Sequence, residues 1–237
     1  MNILAIDTST SCASLAVAAD REIVAESLVN TNRTLSARII PEIERLLATT
    51  GLTIADIDLF VSSLGPGSFT GVRGGVATMQ GLALATGKPC AGFSSLTMLA
   101  MNFSLAKFLI CPLIDARKNE VYGALYDCSS PLPFPHITDC VLPPRLLLDQ
   151  IQSQTADPVI FVGDGAVRYC NLITEQLGGQ AIFAPLAQQT PRAANGIMLA
   201  LDVYLKGQAL DPSHLLPVYL RASDAEINKS KASPVIL

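Results

Sequence analysis

The stretch SSLGPGSFTGVRGG, Ser62 to Gly75, gathers five of the chain's sixteen glycines into fourteen residues. Glycine at that density lets something come close to the backbone, and the candidates are a phosphate, a catalytic substrate and another protein. A Walker-type phosphate loop needs G-x-x-x-x-G-K-[ST], with lysine reaching the terminal phosphates and the hydroxyl holding magnesium. From Gly67 that spacing fails and no lysine follows; the nearest lookalike, Gly81 to Lys88, has five residues between its glycines and a proline after the lysine. Gly65, Gly67 and Gly71 read G-x-G-x-x-x-G, one residue too long for the dinucleotide fingerprint. Phosphate contact through helix N-terminal amides stays open. A serine nucleophile elbow needs G-x-S-x-G, but Gly67 directly precedes Ser68. The two histidines, His136 and His214, sit near no acid–serine set, so no catalytic triad is expected.

Composition narrows the field further. Half of the 237 residues are apolar and 15% are charged, enough for a substantial core. There is no tryptophan, and aromatics at 5% are few for stacking nucleobases. The formal net charge is -4, and basic residues such as Arg33, Arg38, Arg45, Arg73, Lys88, Arg117 and Lys118 are scattered. Nucleic-acid binding by the chain alone needs clustered cations, so in an RNA pathway a partner must supply them. Six cysteines without a C-x-x-C pair read as reduced thiols of a cytoplasmic protein. MNILAID lacks the pattern of a signal peptide. LTMLAMNFSLAKFLICPLI is broken by Asn102 and Lys107 and ended by Pro112, so it reads as a helix running into a buried strand.

The elements that must position these residues come in two similar rounds. NILAID (Asn2 to Asp7), ASLAVAA (Ala13 to Ala19) and EIVAESLV (Glu22 to Val29) read as three antiparallel strands. A helix with Leu35, Ile39, Ile43 and Leu46 at helical spacing ends at Gly51; a strand (Leu59 to Leu64), a helix ending near Gly87 and the strand KPCAGF follow. The second round is FLICPLID (Phe108 to Asp115), EVYGALYD (Glu120 to Asp127), HITDCVL, the helix PPRLLLDQIQSQ, PVIFVG (Pro158 to Gly163), the helix GAVRYCNLITEQLGG and QAIFAP. The duplication predicts a two-lobed α/β protein with mixed sheets. Residues 1–105 form the first lobe and 106–190 a smaller second; helix 192–207 can pack back on the first, and 208–237 is a C-terminal tail.

That arrangement is the one used by the actin, Hsp70 and sugar-kinase superfamily, a ribonuclease H-like build that holds ATP between two lobes. More specifically, ILAIDTST, GPGSFTGVRGG, SSLTMLA, IDARKNEVY and PVYLRASDAE resemble the TsaB (YeaZ) family, from Asn2 to about Asn228. The resemblance implies a cytoplasmic, membrane-free partner of the enzyme TsaD. That enzyme makes threonylcarbamoyladenosine beside the anticodon of tRNAs reading codons that begin with A. It also implies an ATPase subunit, TsaE, self-pairing in the absence of TsaD, and tRNA reached only through the complex.

Against the family background, several absences stand out. TsaD carries an H-x-x-x-H metal pair on its first helix; the equivalent NRTLSARIIPEI has no histidine, and Leu35 stands where many TsaB relatives keep one. No metal site is expected. The superfamily's first phosphate loop is D-x-G-T, whereas this chain has Asp7-Thr8-Ser9-Thr10, with a side chain where the glycine belongs. VGDGA resembles the adenosine loop at Gly163, Asp164 and Gly165, and a plain strand-to-helix turn explains it equally well. Asp7, Thr8, Ser9, Gly163, Asp164 and Gly165 therefore form a vestigial nucleotide site, with weak ATP or ADP binding, no turnover and no required cofactor.

On a helical wheel Val72, Val76, Met79 and Ala83 make the core stripe; Gly71, Gly75, Thr78, Leu82 and Ala85 crowd an adjacent arc, with Gly74 and Gly81 further round. Each glycine inside a helix costs ~1 kcal/mol relative to alanine, and a closely approaching helix would offset it. The alternative is that the arc meets its own lobe. Read with the resemblance, the visitor is a protein. The expected partner interface is Leu35, Ile39 and Ile40 on the first helix with Gly71, Gly74, Gly75, Thr78 and Leu82 on the second. The resulting expectation is a scaffold subunit with no catalytic residues. The rivals are an autonomous ATP-dependent kinase of this fold, which Ser9 opposes, and a peptidase.

Overall fold

A computed structural model describes residues 1–30 and 36–221 of the chain. Leu35 and the last residues of the PVYLRASDAE motif lie outside them. Among the described residues ten strands form two five-stranded sheets, built by the same succession of elements. In the first, β1 (Asn2–Asp7), β2 (Cys12–Ala19) and β3 (Glu22–Asn30) form an antiparallel meander. Helix α1 (Ser36–Thr50), β4 (Leu59–Ser63), α2 (Phe69–Thr86) and β5 (Cys90–Phe93) follow. β4 pairs with β1 and β5 with β4, both in parallel, giving the order β3-β2-β1-β4-β5.

The second sheet repeats this with β6 (Leu109–Asp115), β7 (Val121–Asp127), β8 (Phe134–Leu142), α4 (Pro144–Gln154), β9 (Val159–Val162) and β10 (Ala181–Phe183). Its order, β10-β9-β6-β7-β8, has the same mixture of antiparallel and parallel pairs. Helix α3 (Ser95–Ala100) leads from the first unit to the second, with its Leu96 and Leu99 in the second unit's core.

Strand β1 is apolar from Ile3 to Ile6 because both its faces are covered, as a central strand requires. Leu4 and Ile6 point to α1 and α2, where Ile39, Ile43, Leu46, Val72, Val76 and Met79 complete a core. Ile3 and Ala5 point the other way, to α7 (Ala193–Leu205), through Ala193, Ile197 and Ala200. Helix α7 thus comes back from beyond the second sheet to cover the first. Gly196 permits it, since a Cβ there would stand 2.3 Å from the Phe93 ring.

One helix departs from the sequence reading. GAVRYCNLITEQLGG is not continuous: α5 (Asp164–Arg168) and α6 (Cys170–Leu177) meet at Tyr169, whose backbone leaves the helical basin at φ -104 and ψ 19. α5 is tied down to β6 through Gly165, and α6 takes a separate path over Leu147, Leu148 and Phe161. The apolar spacing carries through the break, which hides it from a periodicity reading. All six cysteines are free thiols, four of them buried.

Candidate functional site

The glycine-rich turn between β4 and α2 is occupied by the chain's own first loop. Thr8 and Ser9, just beyond β1, are both buried. The Thr8 hydroxyl donates to the Gly71 carbonyl at 2.7 Å, and the Ser68 amide donates to the Ser9 carbonyl at 2.7 Å. A Cβ on Gly71 would stand 2.1 Å from the Thr8 carbonyl oxygen, and one on Gly75 would stand 2.4 Å from the Thr8 hydroxyl. Ser68 caps α2 by accepting from the Gly71 amide at 3.3 Å. The visitor that these glycines admit is Thr8.

This corrects the expected interface at three positions. Gly71 and Gly75 turn toward the first loop of their own lobe, Gly75 buried against it and Gly71 half-buried. Ile39 is 4% exposed within the lobe's core, because α1 turns that position onto β2. The remaining positions differ. Ile40 is 43% exposed, nothing lies within 4 Å of where a Gly74 Cβ would be, and Thr78 and Leu82 are half-buried. Ile40, Ile43, Leu47, Leu52, Ile54 and Leu82 line an apolar groove of about 560 Å³ between α1 and α2.

The vestigial nucleotide residues divide into two groups. Asp7 is completely buried and accepts from the Ser9 amide at 3.3 Å and the Ser9 hydroxyl at 3.1 Å. Burial pushes its carboxyl above the ordinary aspartate range, against the opposing pull of those hydrogen bonds. In the second unit, Gly163 has φ +105, and a Cβ there would stand 2.2 Å from the Leu113 carbonyl oxygen; Gly165 also abuts Leu113. Asp164 opens α5 and accepts from the Asp115 amide at 3.0 Å. Burial raises its carboxyl too, and the neighbouring Asp115 charge adds to the effect.

Gly163 and Asp164 meet Thr10, Ser11, Asn30, Gln189 and Thr190 around a cleft of about 210 Å³. Asp7, Thr8, Ser9 and Gly165 do not line it. Drug-sized ligand pockets run from roughly 300 to 1,000 Å³. Among the described residues no lysine or arginine lines this one, and Asp164 brings a carboxylate to it. With Thr8 and Ser9 filling the first loop, the described residues offer no cationic cradle for a triphosphate.

Sequence reasoning missed one cluster beside the turn. Arg73 on α2 meets Tyr219, 146 residues further along, through a hydrogen bond from Nε to the phenol oxygen of 2.6 Å. Phe69 lies against both. The only signal was that GVR and PVYLR both occur among the family-like motifs, which says nothing of their contact.

Known proteins share this architecture. At 10% identity, a ROK hexokinase from Thermus thermophilus matches with a TM-score of 0.50 over 85% of this chain and 100% of its own, a likeness of fold alone. YeaZ from Pseudomonas aeruginosa superposes with a TM-score of 0.78 at 26% identity over 92% of this chain and 99% of its own. The family model described as TsaD, tRNA N6-adenosine threonylcarbamoyltransferase, matches residues 22–229. The tRNA threonylcarbamoyladenosine biosynthesis protein TsaB of Bacillus subtilis is 32% identical over 230 residues, 95% of this chain and 96% of the relative. The Escherichia coli protein of the same name is 32% identical over 228 residues, 93% and 95% of the two chains.

The class is thus the two-lobed actin/Hsp70/sugar-kinase-like fold, in the family that the TsaD model describes. Within it, the chain belongs to the TsaB (YeaZ) proteins.

Proposed function

We propose that this chain is a non-catalytic scaffold subunit of the machinery that transfers a threonylcarbamoyl group to adenosine beside the tRNA anticodon. It acts in the cytoplasm by pairing with a TsaD homologue through the exposed face of α1 and α2. The observation that carries the reading is the first loop. Thr8 and Ser9 occupy the place where the superfamily admits phosphate, while an apolar groove stands open on the same lobe. The names of the relatives supply the pathway.

Ile40, Gly74, Thr78 and Leu82 carry the pairing, and the same face serves self-association when the TsaD homologue is absent. The ATPase TsaE joins the assembled pair, and tRNA is met only through the complex, consistent with the scattered basic residues of an acidic chain. The chain needs no cofactor of its own and binds ATP or ADP weakly at the cleft of Thr10, Ser11, Gly163 and Asp164. Among the described residues no three His, Cys, Asp or Glu side chains come together as they would around a metal ion. No helix among the described residues is long and apolar enough to cross a membrane.

The test is sedimentation of the chain with its TsaD homologue. Stoichiometric association is expected, with Ile40→Glu or Leu82→Glu weakening it at least tenfold by placing a charge in an apolar interface. Chains that sediment separately would reject the reading, as would steady ATP hydrolysis by the isolated chain.

A further inference from the structure

Six described arginines, Arg45, Arg117, Arg145, Arg168, Arg192 and Arg221, lie within salt-bridge distance of a carboxylate. Arg73 is held in place without one. Its guanidinium carbon stands 3.8 Å from the centre of the Phe69 ring and 5.4 Å from that of Tyr219, and its Nε donates to the Tyr219 phenol. The two rings lie 5.1 Å apart at 32°. Among the described residues no carboxylate comes within salt-bridge distance, and the two terminal nitrogens have no acceptor. Those nitrogens form an edge that matches a carboxylate in a two-pronged grip.

Tyr219 is itself held at both sides. Leu215 is buried in the first unit's core, and the Val218 amide donates to the Leu64 carbonyl at 2.8 Å. Arg221 pairs with Glu120 at 2.6 Å and donates to the Ala116 carbonyl at 2.9 Å. The segment from Leu215 to Arg221 therefore straps the first unit to the second, with Tyr219 fixed midway. Ordering Arg73 has already been accomplished within the fold, so a ligand does not bear that entropy.

We propose that Arg73 is an anchor for an acidic side chain of the protein that docks on α2. This rests on the pairing proposed above and names the chemistry of its partner. A carboxylate sits on the terminal nitrogens of Arg73, and apolar side chains beside it lie on Phe69, Leu216 and Val218, all exposed. A protein suits this place better than an RNA backbone. Phosphate recognition draws on several cations, whereas the nearby Arg221 is taken up by Glu120. An aromatic pair clasping an arginine is also the composition of a protein-binding hot spot.

The experiment is calorimetric titration of the full chain with its TsaD homologue at low and high salt, with thermal melting of each isolated variant. Arg73→Glu is expected to weaken association about a hundredfold, the scale of breaking a desolvated charge pair. Arg73→Lys keeps the charge and much of the packing but not the fork, and should weaken it about tenfold. Tyr219→Phe, which removes only the positioning hydroxyl, should cost several-fold, and Arg73→Gln should flatten the salt dependence of the wild type. Melting should stay unchanged for the Lys and Phe variants, which keeps the test valid even if Arg73→Glu folds poorly. Wild-type pairing with no loss in Arg73→Lys or Arg73→Gln would overturn the anchor and leave the pairing standing. No wild-type pairing would overturn both. An intact protein pair that loses tRNA on Arg73→Glu would assign the site to phosphate and overturn the carboxylate.

Discussion

The same junction, from the fourth strand of a unit into its next helix, occurs twice in this molecule and is closed in two different ways. After β4, Gly71 and Gly75 receive Thr8, and a side-chain hydroxyl binds the helix's own first turn. After β9, Gly163 and Gly165 receive the backbone of Leu113, and the polar contact runs from the Asp115 amide to Asp164. In both, glycine stands where the first strand of the same unit, or the loop just beyond it, presses on the helix start. The outcomes differ. The first helix runs on for 18 residues over a sealed loop; the second stops after five and leaves Gly163 and Asp164 at the rim of a small cleft. A shared topology fixes where glycine is needed, and the side chain that arrives there decides whether space for a ligand remains.

The comparison breaks most sharply at Gly163. Gly163→Ala combines a left-handed φ with a Cβ 2.2 Å from a carbonyl oxygen. A loss of about 4 kcal/mol is expected in chemical unfolding of the isolated chain. Gly71→Ala meets the Thr8 carbonyl at 2.1 Å and, less tightly, Ser68 at 3.3 Å, without backbone strain, and should lose about 2–3 kcal/mol. Wild-type stability in Gly71→Ala would mean that Thr8 is not the occupant and would return the glycine arc to a partner.

Asp7 sharpens the contrast through pH. Its folded carboxyl is raised by burial, so the unfolded chain ionises first as pH climbs. The folded state therefore loses stability from the ordinary aspartate range up to the raised value, and the penalty stays at neutral pH. Asp7→Asn should match the wild type in acid and exceed it at pH 7, as followed by denaturant midpoints across pH. A constant difference at all pH values would remove burial as the cause. The smallest effect is expected at Gly74, where a methyl group meets open space. Gly74→Ala should raise stability by about 0.5–1 kcal/mol, the ordinary helix propensity gain, visible as a higher melting temperature.

Much of this architecture was legible in the sequence because strands and helices here announce themselves by period. The wheel of α2 named Val72, Val76, Met79 and Ala83 as its inner stripe, and all four are buried. The duplicated order of elements followed from apolar runs ending in acids at Asp7 and Asp115. What failed was the assignment of neighbours. A wheel gives the direction in which Gly71 and Gly75 look but not that Thr8, more than sixty residues earlier, fills that direction. Ile39 and Ile40 are adjacent on an apolar-rich helix, and only the position of β2 decides which one is inside. Tyr169 breaks a helix through a backbone rotation that leaves the spacing of apolar residues intact. The meeting of Arg73 with Tyr219 depends on a strap at the far end of the chain.

The return of α7 sets the order in which the molecule can be finished. One face of the first sheet, with Ile3, Ala5, Ala16, Val61 and Ala91, is covered by residues between Ala193 and Ala200. On the ribosome those residues emerge after the whole second sheet. The amino-terminal half is thus made first and completed last, with an apolar sheet face left bare while its neighbour is being synthesised. Until α7 arrives, that face is a binding place for chaperones and a seed for misassembly.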